Sequence, residues 1–367
     1  MKVALVNGAV FWGGGEKWFV TAGVFLKNKG HDVKFFGCGE DVIKKASEAG
    51  LDIEKFGFRS DVDFLTIWGL YRSFKKFKPD VVVFNAERDV RLGAPSAMLA
   101  GVKVRVHIKG ISGIKNNRRY RFSYNHLRTH LLCVAEAVRE EILNLGWMSP
   151  ERVKTIHNGV DLTRFTPHGS RKLREEIGAG DSDLVVGAAA RLSSIKGFEY
   201  LIEAMPYVLE RFPSAKCVLA GKGRMEEMLK EKTMELKVEK AVYFVGFKED
   251  VADVNRSLDI MVHPSVHTEG LPYSLLEAMA CGKPAIGTPV AGIPEALIDG
   301  EMGLIVPLRD AVSLAKAIIR LGEDSQLRAR MGASARKRVE EHFDHFKKMT
   351  EFEKWLVEIV NHAKSGE

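Results

Sequence analysis

Short, unbroken apolar runs alternate along the chain with segments whose apolar positions recur every three or four residues. In the first half the runs fall at residues 3–7, 32–36, 80–85, 102–108, 131–135 and 153–156. Helical periodicity fills the intervals, as over 16–28, 63–77 and 136–145. A strand that is apolar on both faces is buried on both faces. Helices between such strands supply the crossovers of a parallel, doubly wound sheet.

The pattern stops at residues 161–182, a polar stretch with Pro167, Gly169, Gly178 and Gly180 that reads as a linker enclosing a short helix. It then restarts, with runs at 184–190, 217–220, 242–245, 260–263, 285–287 and 304–306. The prediction is an α/β protein of two Rossmann-like domains, 1–165 and 180–343, with ligands at the carboxyl ends of the strands. From about residue 311 to 363 the chain reads as helix. Its last segment carries Phe343, Phe346, Met349, Phe352, Trp355, Leu356 and Ile359 on one stripe. A terminal helix at about 344–367 is expected to pack back on the first domain.

Composition fits this picture. A chain of 367 residues, 46% hydrophobic and 28% charged, has the size and balance of two soluble α/β domains. Cys38, Cys133, Cys217 and Cys281 lie far apart with no CxxC, which suits reduced thiols in a cytoplasmic protein and gives no metal site. No apolar run is long enough to span a membrane, and residues 1–8 read as a strand rather than a signal peptide.

Charge is uneven. Residues 1–160 hold 26 Lys/Arg against 16 Asp/Glu, and the remainder 29 against 32. The first half is thus expected to meet something anionic, the alternative being a solvated surface with no such partner. Trp68, Tyr71, Arg72, Phe74, Lys75, Lys76, Phe77 and Lys78 form one basic, aromatic stretch, and Arg118, Arg119, Arg121 and Arg128 a second cluster. Both suit peripheral contact with an anionic membrane surface or with a phosphorylated, lipid-linked acceptor. Core packing of the apolar members, with solvated lysines, is the plainer alternative. No nucleic-acid partner is expected.

Three groups of residues carry candidate chemistry. Gly13-Gly14-Gly15-Glu16 follows the first strand and opens a helix, where backbone N–H groups can approach a ligand closely; its spacing is not GxGxxG, and a tight structural turn is the alternative. Arg191 and Lys196-Gly197 follow the first strand of the second domain, a placement suited to holding phosphate, the alternative being two solvated surface cations. Pro272 suits the first turn of a helix, so Glu269, Gly270 and Leu271 precede that helix and Glu277 lies in its second turn. Leu275, Leu276, Ala278 and Met279 surround Glu277, and a carboxylate buried there needs hydrogen-bond donors such as sugar or ribose hydroxyls, or else a structural ion pair with a nearby Arg or Lys.

Taken together, Arg191…Lys196-Gly197, Gly221-Lys222-Gly223, Glu269-x7-Glu277 and Glu277-Ala278-Met279-Ala280-Cys281-Gly282-Lys283-Pro284 resemble the retaining glycosyltransferases of family 4. Asn158-Gly159-Val160-Asp161 and Gly292-Ile293-Pro294-Glu295 are similar to that family's interdomain turn and later phosphate-side loop. The resemblance runs from residue 1 to about 340. It implies the GT-B fold, two Rossmann-like domains facing a central cleft, and a nucleotide-diphosphate sugar as donor. Sugar would pass with retention to a glycan, lipid-linked or small-molecule acceptor, without metal or other cofactor.

The resemblance also implies roles. Arg191 and Lys196 would bind the donor diphosphate, Glu269 the sugar hydroxyls and Glu277 the ribose. Gly14, Gly15, Gly221, Gly223, Gly270 and Leu271 would complete donor binding. His107 would contact the transferred sugar, its alternative being a satisfied core histidine. Leu271-Pro272 replaces the family's common Phe-Gly, and Cys133-Val134-Ala135-Glu136 its Val-Ser-Glu.

Other readings of the sequence are a nucleotide-sugar epimerase or phosphorylase on the same fold, and a non-catalytic nucleotide-sugar binding subunit. A dehydrogenase fails on the glycine fingerprint. A metal-dependent, single-domain transferase would need a DxD. Asp61-Val62-Asp63 and Asp181-Ser182-Asp183 fit the letters, but both read as caps or turns.

Overall fold

The computed structural model describes residues 1–57 and 63–366. Met1–Asn158 and Lys347–Glu367 form one unit, and Gly159–Phe346 a second. The first is built on seven strands: β1 (Lys2–Asn7), β2 (Asp32–Gly37), β3 (Asp52–Lys55), β4 (Val81–Phe84), β5 (Val104–Lys109), β6 (His130–Cys133) and β7 (Val153–Thr155). They lie in the order β3-β2-β1-β4-β5-β6-β7, and every pairing is parallel. Val3 to Val6 and Val81 to Phe84 are wholly buried, as helices on both faces of a parallel sheet require.

Edge strand β3 was not among the expected strands. Its sequence, Asp-Ile-Glu-Lys, has no apolar run because it borders the sheet and pairs only with β2. Lys34 reaches across to Glu54 at 2.9 Å and Asp52 at 3.7 Å, and such charge pairs mark edges rather than cores. β5 begins and ends later than the apolar run predicts, so Lys109, not His107, is nearest its carboxyl end.

The terminal helix, His345–Ser365, buries Met349, Phe352, Leu356 and Val360. Phe352 meets Trp18 edge-on at 4.9 Å between ring centroids, an arrangement worth about 1 kcal/mol beyond area burial. Glu353 Oε1 lies 2.9 Å from His31 Nε2, and Lys364 Nζ 2.7 Å from Asp80 Oδ1.

Six parallel strands form the second unit: β8 (Val185–Ala189), β9 (Lys216–Ala220), β10 (Val242–Gly246), β11 (Ile260–His263), β12 (Ala285–Gly287) and β13 (Gly303–Ile305). Their order is β10-β9-β8-β11-β12-β13. The polar segment before β8 contains the short helix Lys172–Glu176. Its buried Arg174 donates to the carbonyls of Gly180, Asp183 and Ser257 and to Asp259, which pins the segment to the sheet.

Of the two DxD candidates, Asp61 and Val62 lie outside the described residues. Asp63 caps the helix Phe64–Phe77, accepting from the N–H groups of Leu65 and Thr66. Asp183 accepts from Gly180 N–H in a turn. No helix among the described residues is long and apolar enough to cross a membrane.

Candidate functional site

Strand order fixes where ligands are best held. In each sheet the chain winds outward from two adjacent central strands, β1 and β4 in the first unit, β8 and β11 in the second. The crevice beyond their carboxyl ends is the topological switch point.

At the switch point of the second unit, β8 leads into residues 190–197 and β11 into residues 264–270. Gly197 joins the two loops. It adopts φ +65°, and a Cβ there would stand 2.1 Å from the Pro264 carbonyl oxygen, so only glycine permits the approach. Val266 N–H then donates to the Ile195 carbonyl at 3.0 Å. The result sets Lys196 Nζ 2.5 Å from Glu269 Oε1, with side chains 14% and 7% exposed.

Two more groups converge on the same oxygen: Ser265 Oγ at 2.7 Å and His263 Nε2 at 3.4 Å. Ser274 Oγ lies 3.4 Å from His263 Nδ1, which completes a chain in which Nε2–H donates to the carboxylate and Nδ1 accepts. Burial works to raise the Glu269 pKa, but the His263 hydrogen bond and the Lys196 charge override it and bring it to about 2. Burial and the nearby Lys196 charge lower the His263 pKa, so that imidazole stays neutral. Glu269 Oε2 is left without a hydrogen bond from any described residue.

The remaining predicted positions of this unit lie after β8, β9 and β11. Gly221 and Gly223 follow β9. A Cβ on Gly223 would stand 1.9 Å from the Leu192 carbonyl oxygen, which locks this loop to the one carrying Arg191. Arg191 is exposed, and its guanidinium has no ion pair with any described residue. Gly270 and Leu271 are buried, and the Gly270 carbonyl accepts from Gly292 N–H at 2.9 Å. Pro272 is the capping residue, one position ahead of the expected first turn, and helix Tyr273–Ala280 buries Glu277. Burial, with Glu277 nearby, pushes the Tyr273 hydroxyl pKa up.

In the first unit, Gly14 and Gly15 are exposed in the first turn of helix Gly14–Asn28. Asn85 Nδ2, beyond β4, donates to Glu16 at 3.0 Å. His107 sits on β5, 1% exposed. Its Nδ1 lies 2.5 Å from Arg128 Nη1. Arg128 is buried, stacks 3.8 Å over the Tyr124 ring, and holds both oxygens of Glu87 at 3.2 and 2.9 Å. Burial and the Arg128 charge drive the His107 pKa well below its ordinary value. Despite its burial, Glu87 is held far below the carboxylate range by the charges of its neighbours.

The sequence reading placed Arg128 with surface cations. Its burial against Glu87 corrects that, and Arg118, Arg119 and Arg121 alone remain exposed in that cluster. His263, Ser265, Ser274 and Glu87 were not singled out. A histidine ending an apolar strand ahead of Pro264-Ser265 was the available signal for the first two. Nothing local marks Ser274 or Glu87.

Comparison with known proteins agrees with this architecture. The family description "Glycosyltransferase Family 4" matches residues 12–164, and "Glycosyl transferases group 1" matches residues 169–338. Over 313 residues the chain is 27% identical to the UDP-Gal:alpha-D-GlcNAc-diphosphoundecaprenol alpha-1,3-galactosyltransferase of Escherichia coli, covering 81% of this chain and 80% of that one. With N-acetyl-alpha-D-glucosaminyl L-malate synthase of Bacillus anthracis it shares 28% identity over 214 residues, 58% of this chain and 56% of that one, so that match spans little more than half of the relative. Anabaena HepE, solved with UDP and glucose, superposes with a TM-score of 0.85 at 20% identity, covering 98% of this chain and all of that one, and shares the fold. With one family description on each Rossmann-like unit, and both in the order the motifs predict, the chain belongs to the family 4 glycosyltransferases of GT-B fold.

Proposed function

We propose that the protein transfers a hexose-type sugar, with retention, from a nucleotide-diphosphate sugar to a glycan, lipid-linked or small-molecule acceptor, and needs no metal. The observation that carries this reading is the Lys196–Glu269 pair at the switch point, flanked by two glycine-walled loops. An ammonium has three donors, so Lys196 can keep Glu269 and still meet a diphosphate oxygen. Arg191, unpaired and exposed beside Gly221 to Gly223, supplies a second cation. As the bond from the anomeric carbon to the phosphate oxygen breaks, the electron pair leaves with the diphosphate. Fixed cations there lower the barrier, each by about 3 kcal/mol.

Glu269 is poorly suited to double displacement. Three donors hold Oε1, and Lys196 neutralises the charge, which leaves Oε2 to accept from a sugar hydroxyl. The acceptor oxygen would add on the face the diphosphate leaves, and its proton would pass to a departing phosphate oxygen. In the first unit, His107 would contact the sugar. Of the relatives named above, the Escherichia coli enzyme is named for UDP-Gal and a diphosphoundecaprenol-linked acceptor and the Anabaena protein was solved with UDP, which supports a UDP-type donor and an envelope-glycan acceptor.

A peripheral membrane position belongs to the same reading. On helix Phe64–Phe77, Phe64, Leu65 and Trp68 are 78%, 74% and 60% exposed, and Arg72, Lys75 and Lys76 continue the same face. Apolar groups that enter a headgroup layer beside cations that meet anionic lipid suit a cytoplasmic enzyme acting on lipid-linked substrate.

Stabilisation by UDP, GDP or ADP in a thermal-shift assay with chelator present, followed by hydrolysis of the matching donor, tests the proposal. Stabilisation that appears only with added divalent metal would overturn the metal-independent reading. No stabilisation by any of the three would remove the donor site.

A further inference from the structure

Three features of His107 go beyond a contact with sugar. Its Nδ1 lies 2.5 Å from Arg128 Nη1. The guanidinium has only N–H donors and keeps its proton in proteins, so the shared hydrogen belongs to arginine and Nδ1 must offer a lone pair. Glu87 Oε1, at 3.8 Å from Nδ1, is too far to take a hydrogen from the ring, and both its oxygens are already held by Arg128.

Arg128 itself has little freedom. Besides Glu87 it donates from Nη2 to Ser123 Oγ at 2.6 Å, and its plane rests on Tyr124. The other charged group near His107 is Lys109, two residues along β5 and on the same face. No described residue accepts from His107 Nε2.

Building on the proposed function, we infer that Arg128 is a positioning residue that fixes His107 as the neutral Nε2–H tautomer, making it a hydrogen-bond donor to an oxygen of the bound sugar and unable to serve as a general base. With a guanidinium against Nδ1, the imidazolium would place two N–H donors face to face. Arg128 and Lys109 both oppose that cation, and Glu87, spent on Arg128, offsets them only in part. Histidine is thereby converted from a group that titrates near neutrality into a fixed donor.

Long-range nitrogen–proton NMR on the full chain labelled with 15N-histidine reads the tautomer directly, with His107→Gln locating its signals. The expected result is an Nε2–H imidazole that does not change between about pH 5 and 8. An Nδ1–H tautomer, or a ring that titrates in that window, would overturn the inference. A double variant, Glu87→Gln with Arg128→Met, removes both buried charges together. Its His107 should lose the fixed tautomer and show both Nδ1–H and Nε2–H forms, while burial still holds the ring below its ordinary pKa. In donor turnover, His107→Gln keeps an amide donor near the Nε2 position, whereas His107→Phe should lose about 100-fold. Wild-type turnover by His107→Phe would overturn the donor role inferred here together with the sugar contact of the proposed function, and only the tautomer read by NMR would stand. Loss of all donor binding in wild type would remove the proposed function alone.

Discussion

Lys196 Nζ stands 2.5 Å from Glu269 Oε1, joining the loops that leave the two central strands of the second sheet. Both side chains are largely buried. Removing Lys196 leaves a carboxylate in a site built to be neutral, and breaking a buried pair from one side costs about 3–5 kcal/mol. Lys196→Met should therefore unfold at lower denaturant than Glu269→Gln, and the double variant should recover part of the loss. Additive effects in a double-mutant cycle would show that the two residues do not interact.

Acid should expose the same pair. Glu269 is held at about 2 against an ordinary 4.5, so its contribution is present above pH 4.5 and is lost as pH falls through about 2. Its share of the acid sensitivity is on the order of 3 kcal/mol. In Glu269→Gln that share should vanish from a comparison of chemical denaturation at low and neutral pH. An equally steep acid loss in the variant would place the sensitivity elsewhere.

Catalysis should suffer more than folding when Oε2 is removed. Glu269→Gln keeps the size of the side chain and an acceptor for Lys196, but it loses the charge that stabilises a cationic sugar. Turnover should drop roughly 100- to 1000-fold with nucleoside diphosphate binding retained. Single-turnover rates beside UDP titration would separate the two effects.

Gly197 tests how the site is assembled. Its φ of +65° and the approach to Pro264 leave no room for a methyl group. Gly197→Ala should cost about 1–2 kcal/mol from the left-handed backbone alone, with more from the displaced loop. Because that displacement moves Lys196 from Glu269, turnover should fall further than the melting temperature implies. Ser194→Ala, an exposed position in the same turn, serves as the control and should leave both near wild type.

Vesicle binding tests the surface of helix Phe64–Phe77. Trp68 fluorescence should shift to the blue on vesicles rich in anionic lipid, and salt should reverse the shift. Replacing Arg72, Lys75 and Lys76 should weaken binding by roughly 1 kcal/mol for each cation. Equal binding to neutral vesicles would count against a charge-led contact.

Much of the fold was legible because burial leaves a one-dimensional trace. Strands covered on both faces must be apolar throughout, and all six runs predicted in the second half, from 184–190 to 304–306, correspond to strands. β3 escaped because an edge strand bears charges, and Asp52, Glu54 and Lys34 obey that rule rather than the apolar one. Strand limits shifted by a residue or two because hydrogen-bond register, not hydrophobicity, sets them.

The candidate site was readable where its residues lie in short motifs. Lys196-Gly197 and Glu269-Gly270 each stand in a loop whose glycine announces close backbone approach. Arg128 was misread because a single arginine looks the same in sequence whether it is solvated or paired. Its partner Glu87 lies 41 positions away on another element.

By itself the sequence determined the two alternating strand-and-helix series, the linker between them and the residue types available for chemistry, because periodicity and local backbone demands are written along the chain. Tertiary structure decided which charges meet. The union of Lys196, Ser265 and His263 on one oxygen of Glu269, and of Arg128 with Glu87 and His107, depends on parallel strand order bringing distant loops to one end of a sheet. Only there does exclusion of water make each pairing strong enough to set a charge or a tautomer.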